Sequence, residues 1–256
     1  VRRASAPRAA LLSPLTTAGR ADEVVHRVGK AIELGLLVDG EQLPTEVEFA
    51  NQLGVSPMTL REALAILRRQ GLVETRRGRT GGTFVRHPAN PPVEEMAERL
   101  QAIPVSALRD LADEQLAVSG LSAKLAAERA SRAGVRRLLT LVDQLASAGG
   151  LGARIRADSR FHIEVAIASQ SERLTRLEIN LQAETAGMLW LPYGTELRLG
   201  DVVADHHAIA TAIAEEDGEQ ARLLAERHVQ RNLRRLTELH LLLAERGSTE
   251  GGEIDS

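Results

Sequence analysis

Apolar positions in the first third of the chain recur in short runs, each closed by turn residues. Val24, Val28, Ile32 and Gly35 fall close to one face of a helix over Ala21 to Leu37. Asp39-Gly40 marks a turn, and Leu43-Pro44 leads into Thr45-x-x-Glu48. That last spacing is a capping box, in which the Thr45 hydroxyl and the Glu48 carboxylate each serve an orphan backbone N–H. It predicts a helix running to about Leu53. Gly54 supplies the following turn, Ser56 caps a second helix and Pro57 occupies its first position, where no N–H is required. Leu60, Ala63, Leu64 and Leu67 make the buried face of that helix, which runs to about Gln70 and stops at Gly71. Leu72 to Arg76 and Thr83 to Arg86 read as strands, joined by Arg77-Gly78-Arg79-Thr80-Gly81-Gly82. Two helices, a tight turn and a two-stranded wing make a winged helix-turn-helix, a device that lays one helix in the major groove of DNA.

The pattern changes after His87. Prolines at 88, 91 and 92 mark a linker over 88–92, and from Val93 onward the periodicity is helical throughout. Helices are predicted over 93–102, 105–130, 132–147, 152–169, 171–190, 196–216 and 218–246, with breaks at Pro104, Gly149-Gly150, Pro192-Tyr193-Gly194 and Asp217-Gly218. The expected fold class is mainly α: an N-terminal winged helix-turn-helix domain over 20–87 and a C-terminal all-α bundle of six or seven helices over 93–246. Flexible tails are expected over 1–19 and 247–256. Aromatic residues form only 2% of the chain, so the core must be built from Leu, Ala, Val and Ile, as packed helices are.

The net charge of -3 argues against a nucleic-acid binder until its distribution is considered. Between Pro57 and Arg86, seven Arg face only Glu62 and Glu74, a local surplus of five. A basic module on an acidic body suits a DNA-reading domain attached to something else. With no Cys there are neither disulfides nor thiolate metal ligands. No stretch approaches the roughly 20 apolar residues of a membrane helix, and the start does not read as a signal peptide. A cytoplasmic protein with no membrane association is expected.

Four residues in the helical region stand apart as candidate chemistry. Asp158 and His162 lie four apart on one helix and share a face, while His206 and His228 sit on separate later helices. An antiparallel bundle can bring such positions together, and three imidazoles with a carboxylate suit zinc first, with nickel, manganese or iron as alternatives. The same residues also read as ordinary surface or satisfied core positions, and the pattern alone does not choose between the two.

The segments Leu43-Pro44-Thr45-Glu46, Leu53-Gly54-Val55-Ser56, Leu60-Arg61-Glu62-Ala63-Leu64, Gly71-Leu72-Val73 and Gly82-Thr83-Phe84-Val85 resemble the N-terminal domain of GntR-family transcription regulators. The resemblance implies DNA contacts from Thr45, Ser56, Met58, Thr59 and Arg61, and from the wing residues Arg76, Arg77, Arg79, Gly81, Gly82 and Thr83. Val47 and Pro57 stand where the family often has Arg. Further on, Asp158-x-x-Phe161-His162, Asp205-His206-x-x-Ile209 and Glu226-Arg227-His228 resemble the ligand-sensing domain of the FadR subgroup, the FCD domain. That implies a divalent metal held by Asp158, His162, His206 and His228, with His207 the competitor for the third place. It also implies a small carboxylate effector bound beside the metal. Gln115 and Ser119 stand where the family commonly has Arg and Glu. Arg109, Arg154 or Arg160 are the available substitutes, and Asn232 can offer a hydrogen bond one turn after His228. His26, His87 and His240 match no motif, and Trp190 and Tyr193 read as packing residues.

The expected protein is a homodimeric, metabolite-responsive repressor on an inverted-repeat DNA operator. The alternatives are a regulator whose metal is structural or absent, and a metal-dependent enzyme that uses an open coordination position.

Overall fold

A computed structural model of the chain describes residues 20–78, 81–194 and 197–250. The expected tail over 1–19, most of the tail at the other end, and Arg79 and Thr80 of the wing lie outside the described residues. The chain divides between Ala89 and Asn90 into two compact units.

In the first unit, α1 spans Arg20–Glu33, α2 Glu46–Leu53 and α3 Pro57–Arg69, followed by strands β1 (Val73–Arg76) and β2 (Gly82–Val85). The strands pair antiparallel, Val73 opposite Val85 and Arg76 opposite Gly82. The cap over α2 forms as its sequence predicts: the Glu48 amide donates to Thr45 Oγ1 and the Thr45 amide to Glu48 Oε2. Gly54 closes α2 in the left-handed region at φ 68°. The Thr59 amide donates to Ser56 Oγ at the start of α3. Helix α1 is shorter than predicted. Gly35, expected on its apolar face, adopts φ 67° instead, and the Leu36 amide turns back to the Ala31 carbonyl. A left-handed glycine just past a helix end stops it in this way, and Leu34, Leu36 and Leu37 are then buried from the turn rather than from the helix. A single-residue bridge from Gln42 to Phe84 extends the wing, a pairing too short to leave a sequence signature. Val24, Val28, Ile32, Phe49, Leu60 and Leu67 are fully enclosed in the core of this unit. Each contributes roughly 1.5–3 kcal/mol by leaving water.

The second unit is wholly helical among the described residues: α4 Val93–Ala102, α5 Val105–Arg129, α6 Arg132–Ala146, α7 Leu151–Ala168, α8 Glu172–Leu189, α9 Leu199–Ala214 and α10 Gly218–Glu250. The last helix continues four residues into the segment read as a tail, because propagation of a formed helix needs no new nucleus. Helices α5 and α10 pack together, with Ala123, Ala126 and Ala127 on one and Ala221 and Ala225 on the other in the same apolar cluster. Side chains this small let two backbones approach closely. A second cluster gathers Leu100 of α4, Ile155 of α7, Trp190 and Leu191 after α8, and Leu236 and Leu239 of α10. Helix α7 runs through both clusters, with Ile155 and Ala157 in the second and Phe161 and Val165 in the first. Asp158 and His162 therefore sit where the two apolar regions meet. No helix among the described residues is long and apolar enough to cross a membrane.

Candidate functional site

Asp158 and His162 project from one face of α7, His206 from α9 and His228 from α10. Each can offer one ligand atom, and those atoms all lie within 4.8 Å of one another. His206 Nε2 is 3.4 Å from Asp158 Oδ1, and His162 Nε2 is 3.9 Å from the same oxygen. The three imidazole rings have centroids 4.9–5.1 Å apart, and Phe161 stacks on His206 at 4.0 Å. All four residues are buried. His207, the competing candidate, is exposed beside Thr211.

Burial sets the protonation of this group. It holds His162 and His206 well below the ordinary imidazole value of 6.5, with His228 adding repulsion. It lowers His228 as well, against the pull of Asp158 and Glu178. It raises the Asp158 carboxyl, an effect partly offset by His228 and by the Trp190 hydrogen bond. Neutral imidazoles keep a lone pair for a metal.

Asp158 Oδ1 and both ring nitrogens of His206 are buried without a hydrogen-bond partner. A buried polar atom left alone costs about 1–3 kcal/mol. The two ring nitrogens face opposite ways, so only Nε2 shares a point with Asp158 Oδ1, 3.4 Å away. An occupant that accepts a lone pair from each would relieve both. Donors around a tetrahedral zinc lie roughly 3.3 Å apart, given bonds of about 2.0–2.1 Å. The His206–Asp158 pair already has that separation, and all four ligand atoms lie within 4.8 Å of one another. The residues present thus fit a divalent cation.

Outer partners hold the ligands in place. Trp190 Nε1 donates to Asp158 Oδ2 at 3.0 Å, which leaves Oδ1 facing the histidines. Asp205 Oδ2 lies 3.0 Å from His228 Nδ1 and also pairs with Arg231. With Nδ1–H donated to Asp205, His228 turns its Nε2 lone pair inward. Asn232 Nδ2 sits 3.0 Å from that Nε2, so an ion binding His228 must displace the amide. Trp190, read from sequence as packing, is thereby an orienting residue. Its contact with Asp158 leaves no mark in sequence, and Asp205, though part of a motif, is tied to His228 only by a contact between helices.

A small cavity opens beside His162. Ser119, Ser122 and Glu178 provide its other polar lining, and Phe161, Val165, Ile209 and Val229 are among its apolar walls. Ser119, which stands where the family commonly has Glu, donates through Oγ to Glu178 Oε2 at 3.0 Å. Of the residues expected to meet an effector, Gln115 is buried on α5 and Asn232 touches His228, whereas Arg109 is exposed and does not line this cavity. Arg154 lies one turn before Asp158 on α7, with its Nε buried and unpartnered. Arg160 faces Glu164 at 3.9 Å.

In the first unit, Met58 is 79% exposed at the start of α3, and Val47 on α2 is 62% exposed. Arg61 reaches back from α3 to α2, where its Nε donates to Glu46 Oε2 at 2.6 Å. Thr45 and Ser56 are exposed, with their hydroxyls engaged in capping, and Thr59 is half-buried beside Ser56. On the wing, Arg76 stacks over the Phe84 ring at 4.3 Å and pairs with Glu74, while Arg77 is exposed. Gly81, Gly82 and Thr83 are half-buried. Gln42 donates to the Gly81 carbonyl, and a Cβ added at Gly82 would lie 2.5 Å from the Gln42 amide.

A capped helix pair with an exposed Arg, a basic wing beside it and a separate helical unit with a buried Asp/His cluster make the arrangement of a DNA-binding transcription regulator. Residues 20–85 match the family described as bacterial regulatory proteins, gntR family, and residues 110–231 match the FCD domain. The chain is 43% identical over 227 residues to RmpR of Mycobacterium gastri, named as a candidate HTH-type transcriptional regulator. That alignment covers 88% of this chain and 82% of the relative. It is 27% identical over 238 residues to the galactonate operon transcriptional repressor of Escherichia coli, covering 87% of this chain and 99% of that protein. A candidate L-lactate dehydrogenase operon regulatory protein of Escherichia coli is 34% identical over 154 residues, 59% of this chain and 58% of that protein. The solved structure of E. coli McbR/YncC shares the fold, with a TM-score of 0.54 and 17% identity, covering 87% of this chain and 99% of that one. The chain belongs to the GntR family of bacterial transcription regulators, in the FadR subgroup that carries an FCD domain. It is a regulator rather than an enzyme.

Proposed function

We propose that this regulator is a homodimeric repressor in the bacterial cytoplasm that binds an inverted-repeat operator and responds to a small organic acid through a metal centre. The observation that carries the sensing part is the approach of His206 Nε2 to Asp158 Oδ1 at 3.4 Å, both buried without a hydrogen-bond partner, beside a cavity. Asp158, His162, His206 and His228 would hold a divalent ion, zinc first and nickel, manganese or iron otherwise. The ion would supply an attachment point for a carboxylate. The chain's own residues do the rest: Trp190 and Asp205 fix two ligands, Asn232 moves from His228, and apolar walls exclude water. Arg61, Thr59, Met58 and the wing would meet the operator, and a two-fold dimer would match its two half-sites. A repressor role is consistent with the galactonate operon repressor's likeness over 99% of its length. The carboxylate reading is consistent with relatives named for the galactonate and L-lactate dehydrogenase operons.

Regulation then follows from linkage. An effector that binds one arrangement of the helical unit more tightly shifts operator affinity by that difference alone. A second reading rests on the ligand number: four protein donors complete a tetrahedral shell, the mark of a structural ion. Sensing at the metal needs a further coordination position. One titration separates the two. Operator affinity is measured on metal-loaded and chelated protein across a panel of small carboxylates. A shift that requires both metal and carboxylate supports sensing at the ion. Affinity unmoved by every carboxylate leaves the ion structural.

A further inference from the structure

The cavity beside His162 has a chemical asymmetry that restricts what can enter it. Ser119 and Ser122 lie three apart on α5 and share a face. Ser122 is 1% exposed, and its Oγ has no hydrogen-bond partner. Glu178 of α8 is 1% exposed, with Oε2 accepting from Ser119 and Oε1 accepting from Gln182 Nε2 at 2.9 Å. Burial pushes the Glu178 carboxyl up from its ordinary value. None of the described residues lining the cavity is Arg or Lys. Arg154 lies on the other side of Asp158 along α7, a turn in the direction away from His162. The polar lining other than His162 therefore presents acceptors and a carboxyl group with no cation, together with an unsatisfied hydroxyl.

We infer that the effector is a short monocarboxylate whose far end carries a hydrogen-bond donor, a hydroxyl or an ammonium, received by Ser122 and Glu178, and that dicarboxylates are excluded. This rests on the metal-centre reading, in which the effector's carboxylate sits on the His162 side. A second carboxylate would meet the Glu178 oxygens, which already accept from Ser119 and Gln182, with no Arg or Lys in the lining to pair it. A bare alkyl end would leave Ser122 Oγ buried and unsatisfied, as it is now. A hydroxyl or ammonium satisfies both groups at once. Size sets a further limit. The void measures about 10 Å³, room for one water, so an occupant displaces side chains and extends only a few atoms beyond its carboxylate.

The test uses the full chain loaded in turn with zinc and nickel, and four acids of three or four carbons: glycerate, β-alanine, propionate and succinate. Metal binding is read first, as a rise in melting temperature without any acid, and the acids are then titrated by calorimetry. Glycerate, β-alanine or both are expected to bind at least about tenfold more tightly than propionate, the worth of one or two satisfied buried hydrogen bonds. Succinate is expected to bind more weakly than propionate. Ser122→Ala should reduce the preference for glycerate over propionate, and Glu178→Gln should reduce that for β-alanine and admit succinate. Glycerate preferred alone identifies a hydroxyl donor, and β-alanine alone an ammonium. Succinate binding as tightly as the donor-bearing acids overturns the inference, as does an equal response to all four or to none while the metal binds. Absence of any metal response overturns the metal centre itself, a separate and earlier failure in the same experiment.

Discussion

The two units keep their functional groups in opposite conditions. In the DNA-reading unit, Arg61, Arg76 and Met58 stand at the surface, and the two Arg are already paired, with Glu46 and Glu74. Exposed pairs of this kind contribute about 0–1 kcal/mol, so DNA phosphates or bases can replace the acid partners at little cost. In the helical unit the corresponding groups are buried, and Asp158 Oδ1 and the His206 ring nitrogens lack a hydrogen-bond partner. The reader is held ready in water, with its affinity tunable by salt. The helical unit holds buried polar atoms without hydrogen-bond partners, the feature on which the proposed sensing rests. Under the proposed function the contrast teaches how the tasks would be separated: one surface would release its partner easily, and the other would register a small molecule as a change in folding free energy.

The largest expected effect tests the buried side. Zinc in thousandfold excess over its dissociation constant should stabilise the chelated chain by about 4 kcal/mol, a rise of about 10 °C in melting temperature for a protein of this size. Melting curves with and without chelator measure it, and superimposed curves would break the contrast outright. On the exposed side, Arg61→Ala should weaken operator binding by about 1–3 kcal/mol and relax base selectivity, read by anisotropy on specific and scrambled duplexes. An unchanged specificity ratio would remove Arg61 from the reading surface. Asp205→Asn leaves the four ligands intact but takes the charge from His228's partner. Metal affinity should drop about 10–100-fold while the apo fold is kept, as a competition titration would record.

Smaller effects sharpen the comparison. Burial holds the native His206 well below 6.5, whereas the unfolded chain binds a proton there near 6.5. The contribution of a neutral His206 to chelated-protein stability is thus fully present above pH 6.5 and is lost as pH falls through that value toward its native one. Relative to His206→Gln, the chelated wild type should lose about 1 kcal/mol between pH 6.5 and 5.5, read from urea midpoints. An identical pH dependence in both would deny that burial controls this ring. Glu46→Gln should change folding stability by less than about 1 kcal/mol, because the Arg61–Glu46 pair is exposed. A larger loss in chemical denaturation would make that pair structural rather than exchangeable.

The same division explains what was legible in the sequence. Caps, turns and the apolar face of α3 are local, and Thr45, Gly54, Ser56 and the Leu60–Leu67 stripe announce them within a few residues. The cluster of Asp158, His162, His206 and His228 was readable because Asp158 and His162 share a helix face and the later His segments have a recognisable setting. Contacts set by helix packing were not. Nothing near Trp190 in sequence points to Asp158, 32 residues away. Glu178 and Ser119 meet across 59 residues, and Arg61 and Glu46 across 15. Gly35 was misread because a glycine fits a helical period as well as it fits the left-handed turn that ends one. Arg109 was a candidate by charge alone, and its exposed position on α5 removes it from the cavity.

The chain contains a single tryptophan, and its indole donates to the buried carboxylate of Asp158. Its light emission is therefore a built-in optical gauge of the Asp/His cluster. Any cation or proton that changes the charge on Asp158 changes the field along the indole N–H, and no other tryptophan dilutes the signal. Fluorescence excited at the indole band can follow occupation of the site in unlabelled protein, and in the presence of DNA, without waiting for the operator to respond.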